Sequence, residues 1–255
     1  MAKQSGLGDQ LFIGGYDIGA DTASIGTIST PRATLPSTGI TAFANERMFG
    51  QRDANAEFTT YFNPGPVGGP VDNEHKALRG LPYTDTQLMY LRGSGLGNEA
   101  FSMVAKQLNY DPQRGDDGAL TFGVSAQSNG FGADWGYQAT PGKRSDTTAT
   151  NGTSIDLLVG SSSFGFQAYL QVFSFTGTSV TIKLQESSDN AVGDPFADIT
   201  GGAFTVVSAA PTFERIQSAS ATQTVERYVR VITTGTFSQC SFAVTFTRND
   251  AARVL

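Results

Sequence analysis

Period-two alternation is the feature that most constrains this chain. Val180, Ile182 and Leu184 alternate with Thr181, Lys183 and Gln185, and Leu120, Phe122, Val124 and Ala126 alternate with small or polar residues. Successive side chains of a strand point to opposite faces, so this pattern spells half-buried antiparallel strands. Shorter β-prone runs recur at 58–62, 87–92, 166–175, 203–207, 213–217, 224–233 and 241–247, with Gly, Pro, Asn and Asp between them. Strands at this spacing predict an all-β protein with a minor helix, and a C-terminal β-sandwich of jelly-roll or immunoglobulin type.

Several local expectations follow. Residues 74–81 carry helix formers and predict one short helix. The Gly- and Pro-rich stretch 64–70 predicts an exposed loop. Residues 101–110 and 120–126 predict a hairpin across 111–118, and 176–177 a tight turn after the strand at 166–175. The sequences at 175–178 and 233–236 echo each other, which reads as shared turn chemistry. Residues 141–153 contain no large apolar side chain. They predict a linker between an N-terminal domain, 1–140, and a C-terminal one, 154–255, that closes its own core and is dispensable to the first.

Composition narrows the function. Charged residues make up 16% of the 255, against roughly 25% in an average soluble protein. Such a chain is expected to cover much of its surface with copies of itself, since a solvated monomer spreads more Lys and Glu over its outside. The net charge of −6 argues against a basic nucleic-acid-binding module. One cysteine cannot make an intramolecular disulfide and fits a reducing compartment. The N-terminus shows no apolar signal core, and Leu88-Met-Tyr-Leu91 is far short of a membrane span. The expectation is a protein made and used without crossing a membrane.

The usual machinery of catalysis is sparse. His75 is the only histidine, and a solvated helix position is the simplest reading for it. Cys240 has no histidine left to activate it and reads as a small buried hydrophobe. Gly93, Gly95 and Gly97 follow a strand but lack the spacing and the βαβ setting of a dinucleotide loop, so a turn is expected. Asp116-Asp117 and Asp189…Asp194 lack the spaced ligands of a calcium loop. Glu186, Glu214 and Glu226 show no spacing that recommends a glycosidase pair. Trp135 reads as a buried or interface anchor. No enzyme, cofactor or metal is expected.

Five strings resemble the major tail (tail tube) proteins of siphoviruses infecting actinobacteria. They are Met1-Ala-Lys-Gln-Ser-Gly-Leu-Gly-Asp9, Glu46-Arg-Met-Phe-Gly-Gln-Arg-Asp53, Glu57-Phe-Thr-Thr-Tyr-Phe-Asn-Pro64, Val104-Ala-Lys-Gln-Leu-Asn-Tyr-Asp-Pro112 and Asn129-Gly-Phe-Gly-Ala-Asp-Trp-Gly136. The likeness runs through most of 1–140, and the stretch 166–173 resembles a domain appended to some of these proteins. The resemblance implies a tail-tube β-barrel or sandwich that forms hexameric rings stacked into a DNA conduit, with the appended domain outside. Its implied partners are further copies, other tail proteins such as tape measure and terminator, and DNA in transit, with no membrane. Its implied location is the virion tail, assembled in the bacterial cytoplasm. The alternatives are another virion part, such as a capsid decoration or tail terminator protein, or a glycan-binding adsorption protein.

One candidate self-assembly site stands out. Arg47, Arg52, Asp53 and Glu57 are expected around a turn containing Gly50 and Gln51, between two strands. Mixed charges on a hairpin reaching a neighbour fix register more than they add affinity. Solvated charges at an ordinary hairpin tip are the competing reading.

Overall fold

The computed structural model describes residues 5–65 and 74–252. The first part gives β1 (Gln10–Ile13), β2 (Tyr16–Asp17), a 3-10 turn (Gly19–Asp21), β3 (Thr22–Ser29), β4 (Arg32–Pro36), β5 (Arg47–Arg52), β6 (Asn55–Tyr61), α1 (Glu74–Leu78), β7 (Thr86–Leu91), β8 (Glu99–Gln107), β9 (Asp111–Arg114) and β10 (Leu120–Gln138). The second adds β11 (Arg144–Asp146), β12 (Ile155–Asp156), β13 (Phe166–Ser187), β14 (Ala197–Ala203), β15 (Thr212–Gln217) and β16 (Tyr228–Arg248). The protein is all-β with one short helix, as the alternation predicts.

One antiparallel network runs through both parts, in the order β14-β13-β16-β10-β8-β7-β1-β2. The join is between β10 and β16, where Tyr137 faces Phe246 and Gln138 faces Thr245. The first part packs Leu11, Ile13, Phe58, Phe101, Met103 and Val124 into one core. The second packs Phe166, Leu170, Ile182, Val231, Phe242 and Phe246 into another. A third cluster lies between them, with Phe12, Met89 and Leu91 against Tyr169, Phe173 and Ala243.

That third cluster explains why residues 166–173 are buried without a break. The even positions of this half of β13 face the second core, and Tyr169 and Phe173 face the first part. Polar residues so placed must find partners. The amide of Gln171 does so: its Oε1 accepts from Gly15 N at 2.9 Å, and its Nε2 donates to the carbonyls of Phe12 and Gln87. Gly15 has φ +83°, and a Cβ there would lie 2.8 Å from the Val172 carbonyl. Only glycine lets the two parts approach this closely.

The structure corrects several local expectations. No turn forms at 176–177. β13 continues through a register shift and pairs with β16 from Phe166 to Ser187. The runs at 224–233 and 241–247 likewise belong to one strand, except that 224–227 precede it. Gly177 and Gly235 are close to each other across that ladder, each on a backbone conformation glycine favours. Their shared sequence bends a ribbon instead of reversing the chain.

Residues 141–153 are not a free linker. β11 pairs with β16 from Arg144↔Phe242 to Asp146↔Cys240, and Asn151 bridges to Ile232. Asp146 is buried, clasped by Arg144 Nε at 2.8 Å and Nη2 at 2.7 Å, with Thr233 Oγ1 also donating to it at 2.7 Å. A segment without apolar side chains is anchored here by its backbone and one bidentate pair.

In the first part, the hairpin expectation holds for β8 and β10. The connection at 111–118, however, contributes β9, which pairs with the start of β10. The helix spans Glu74–Leu78, ending three residues early. The strand expected at 203–207 is displaced: β14 ends at Ala203, and Val207 makes a lone bridge to Val180. Of the predicted loop at 64–70, residues 66–70 lie outside the described residues, as do residues 1–4 of the first tail-like string.

Candidate assembly surface

β3 and β6 pair inside the main sheet, from Thr22↔Thr60 to Ser29↔Asn55. The same two legs then continue as β4 and β5, paired from Arg32↔Arg52 to Pro36↔Arg47 in a separate two-stranded sheet. The other neighbour of β6, β10, stops pairing at Gln127↔Asn55. Beyond that level the ribbon is an arm of two strands. Its tip at 37–46 is closed by Ser37 N donating to the Glu46 carbonyl at 3.0 Å and by Glu46 N donating to Thr38 Oγ1 at 2.9 Å.

The arm is apolar and uncovered. Leu35, Met48 and Phe49 are exposed, and Ile40 and Phe43 at the tip are fully so. A hairpin of two strands is marginal by itself in water. Its two free edges and its apolar side chains are features that mark interaction sites.

The four predicted charges are distributed along this ribbon. Gly50 and Gln51 lie within β5, so the expected turn between them is absent, and the chain reverses at 37–46 instead. Arg47 is exposed toward the tip, opposite Pro36. Glu57 is exposed on β6, opposite Ser125 and Thr27. Only Arg52 and Asp53 come together, at the root. Arg52 Nη2 lies 3.0 Å from Asp134 Oδ1 and also donates to the Ala133 carbonyl. Asp134 is buried and accepts from Tyr169 OH at 2.6 Å. Asp53 accepts from Gln127 Nε2, Ala54 N and Ser128 Oγ, and the Gln127 bond leads in holding its pKa below the usual carboxylate range. These two residues therefore clamp the arm to the body.

Between the arm and the body runs a groove of about 1090 Å³. Arg32 and Phe49 line it from the arm, Phe131 from the middle of β10, and Gln167 and Arg215 from the second part. The Arg215 guanidinium lies 4.0 Å from the Phe131 ring centroid, and its Nε donates to Tyr169 OH at 3.2 Å. Sequence reading did not select Arg32, Phe131 or Arg215, because three distant segments supply them.

The other candidates resolve individually. Cys240 is free and buried, and burial pushes its thiol up to about 12. His75 is half-buried, with Nδ1 3.0 Å from Tyr110 OH and its ring against Phe62, so the solvated reading is corrected. Trp135 is half exposed, edge-on to Phe101, so it is no buried anchor. Gly93 and Gly97 lie in the turn between β7 and β8. Asp189 closes its own loop by accepting from Ala191 N and Asp194 N. Glu186 accepts from the backbone of Glu226, whereas Glu214 binds Thr205. Among the described residues, no group of three or more His, Cys, Asp or Glu is placed to hold a metal. Also among them, no helix is long and apolar enough to cross a membrane.

No family model and no curated protein matches the chain. Among solved structures it is similar to a protein in the C6-symmetric tail of an empty gene transfer agent particle. That match has 13% identity and a TM-score of 0.35, covering 46% of this chain and 81% of the other. A protein of the native gene transfer agent virion aligns with 13% identity and a TM-score of 0.39, over 53% and 98% of the two chains. The SPP1 Dit protein, described as a hub of the adsorption apparatus in phages infecting Gram-positive bacteria, aligns over 94% and 99% with 9% identity and a TM-score of 0.32.

Proposed function

We propose that this chain is a structural subunit of a bacteriophage tail tube, forming hexameric rings that stack into the conduit for DNA. The observation that carries the reading is the arm. Burying one large apolar side chain is worth roughly 1.5–3 kcal/mol, and the arm leaves Leu35, Ile40, Phe43, Met48 and Phe49 uncovered. In a ring or stack, copies of the same chain cover them. The tail-like strings at 46–53 and 57–64 fall on the arm and its root, which supports the same reading.

In this reading the first part builds the ring and the arm reaches a neighbouring copy. The second part, 154–255, forms the outside of the tube. The net acidic charge suits a lumen that repels phosphates and lets the genome slide. Tape-measure and terminator proteins meet the tube within and at its end. The virion tail is the place of action.

Negative-stain microscopy of the purified protein at rising concentration tests this. Tubes with six-fold end views are expected. The double variant Ile40→Ser/Phe43→Ser should keep its fold and give none. Closed rings that never stack, or monomers that bind cell-wall glycan, would reject the tube role in favour of a hub or adsorption role.

A further inference from the structure

The groove beside the arm has a chemistry of its own. Arg32, Arg52 and Arg215 line it, with Asp53 the one carboxylate among the described residues on its wall. Arg52 is neutralised by Asp134, but the bonds of Arg215 go to the neutral oxygens of Tyr169 and Gln217. Arg32 lies over the Phe49 ring. Among the described residues neither Arg32 nor Arg215 is paired with a carboxylate, so this wall suits a ligand of negative charge.

The same molecule offers such a ligand at its other end. The turn joining β9 to β10, Gly115-Asp116-Asp117-Gly118, is exposed throughout. It is tightly folded, with Gly118 N donating to the Gly115 carbonyl at 3.0 Å and Ala119 N donating to Asp117 Oδ1. Its backbone N–H groups at Gly115, Gly118 and Ala119 are used within the turn, and Asp116 and Asp117 are exposed on it side by side. β10 starts at Leu120, next to this turn, and Ser128 further along it lines the groove. Eight extended residues separate the two, about 27 Å. The turn and the groove therefore cannot meet within one copy.

We infer that the groove seats the acidic β9–β10 turn of a second copy, so that successive subunits engage head to tail. The inference rests on the tube reading and names the contact that propagates it. A heterologous contact of this kind leaves a free groove at one end and a free turn at the other, and so extends without limit unless rotation closes it. Charge complementarity steers encounter and fixes register, and salt weakens it.

The test uses Arg32→Glu, which is exposed on the arm, and Asp116→Lys/Asp117→Lys on the turn. Circular dichroism and thermal melting confirm that each variant is folded. Each alone should raise the protein concentration needed for tubes by at least about ten-fold, whereas the chain carrying all three substitutions should assemble near the wild-type concentration. An equimolar mixture of the two kinds of variant should co-assemble, because every contact is then complementary. Wild-type protein that forms no tubes rejects the tube reading and this contact with it. Tubes from wild type, with the turn variant assembling equally well, leave the tube reading standing and overturn the contact. If in that case Arg32→Glu also lowers affinity for double-stranded DNA, the groove holds phosphate instead.

Discussion

Two antiparallel ribbons dominate this molecule, and they meet opposite fates. β13 and β16 run beside each other through some twenty residues, flanked by β14 and β15 on one side and by β10, β11 and β12 on the other. The β3–β4 and β6–β5 legs form the second ribbon, flanked only at its base. Both contain interior glycines and large apolar residues. In the first ribbon Phe166, Tyr169, Phe242 and Phe246 are sealed, and in the second Phe43 and Phe49 stand in solvent. What separates them is the company of further strands. An apolar ribbon to which the described residues give no cover is a surface that expects one.

The sharpest way to break this comparison is to truncate a phenylalanine in each ribbon. Phe242→Ala should cost about 3–5 kcal/mol in urea denaturation, because the cavity it leaves is enclosed. Phe43→Ser should change subunit stability by less than about 0.5 kcal/mol, in keeping with an exposed position. Comparable losses from both would mean that the arm packs within its own subunit.

Next in size is the clamp at the arm's root. Arg52→Ala removes the ionic partner of a buried carboxylate and should cost about 3 kcal/mol. Adding Asp134→Asn should recover part of that loss in a double-mutant cycle. This sharpens the contrast, since Arg52 acts within the subunit whereas Arg47, exposed on the same strand, should tolerate charge reversal without a change in melting temperature. A neutral Arg52→Ala would release Arg52 from the clamp.

The smallest effect belongs to the second part. Burial leads in raising the pKa of Glu186, with Asp194 adding to it and the Glu226 backbone bond opposing. Glu226 is raised as well, by burial first and then by Asp194. An acid with a raised folded pKa keeps more protons folded than unfolded, so stability is lost as pH rises from the ordinary carboxylate range through the raised values. Glu186→Gln should therefore melt slightly higher than wild type at pH 7, with the two curves converging below pH 4. A lower melting temperature at pH 7 would show that the Glu226 bond outweighs the burial.

The sequence was most readable where one strand face is wet. Ile182 and Leu184 alternate with half-buried polar neighbours, and the strand is plain. Where both faces are covered, as at 166–173, Gln167, Tyr169 and Gln171 alternate with apolar residues as if their face were wet, and the third cluster stayed hidden. Gly177 and Gly235 look like turn residues in isolation, and only the ladder that sets them opposite Phe237 and Val180 shows them to be bends. Residues 141–153 carry no apolar signal because a ladder and the Arg144–Asp146 pair hold them. With Phe12, Met89 and Leu91 covered by the second part, that part is less separable from the first than its composition suggests. At the site, local charge singled out Arg52 and Asp53 as contacts between copies, but not their bonds to Asp134, Gln127 and Ser128 within the subunit. Arg32 and Arg215 were not singled out, since nothing local ties positions so far apart.

The place of β16 in the chain has a consequence for synthesis. β16 ends at Arg248, yet it is the strand that joins β10, β11, β12 and β13. A ribosome adding about 5–20 residues per second needs roughly ten seconds to travel from the end of β10 to the end of β16. Until β16 is made Phe12, Met89 and Leu91 lack Ala243, and β13, once made, lacks its principal partner. A chain that stops short of β16 is therefore an open sheet with unpaired strand edges.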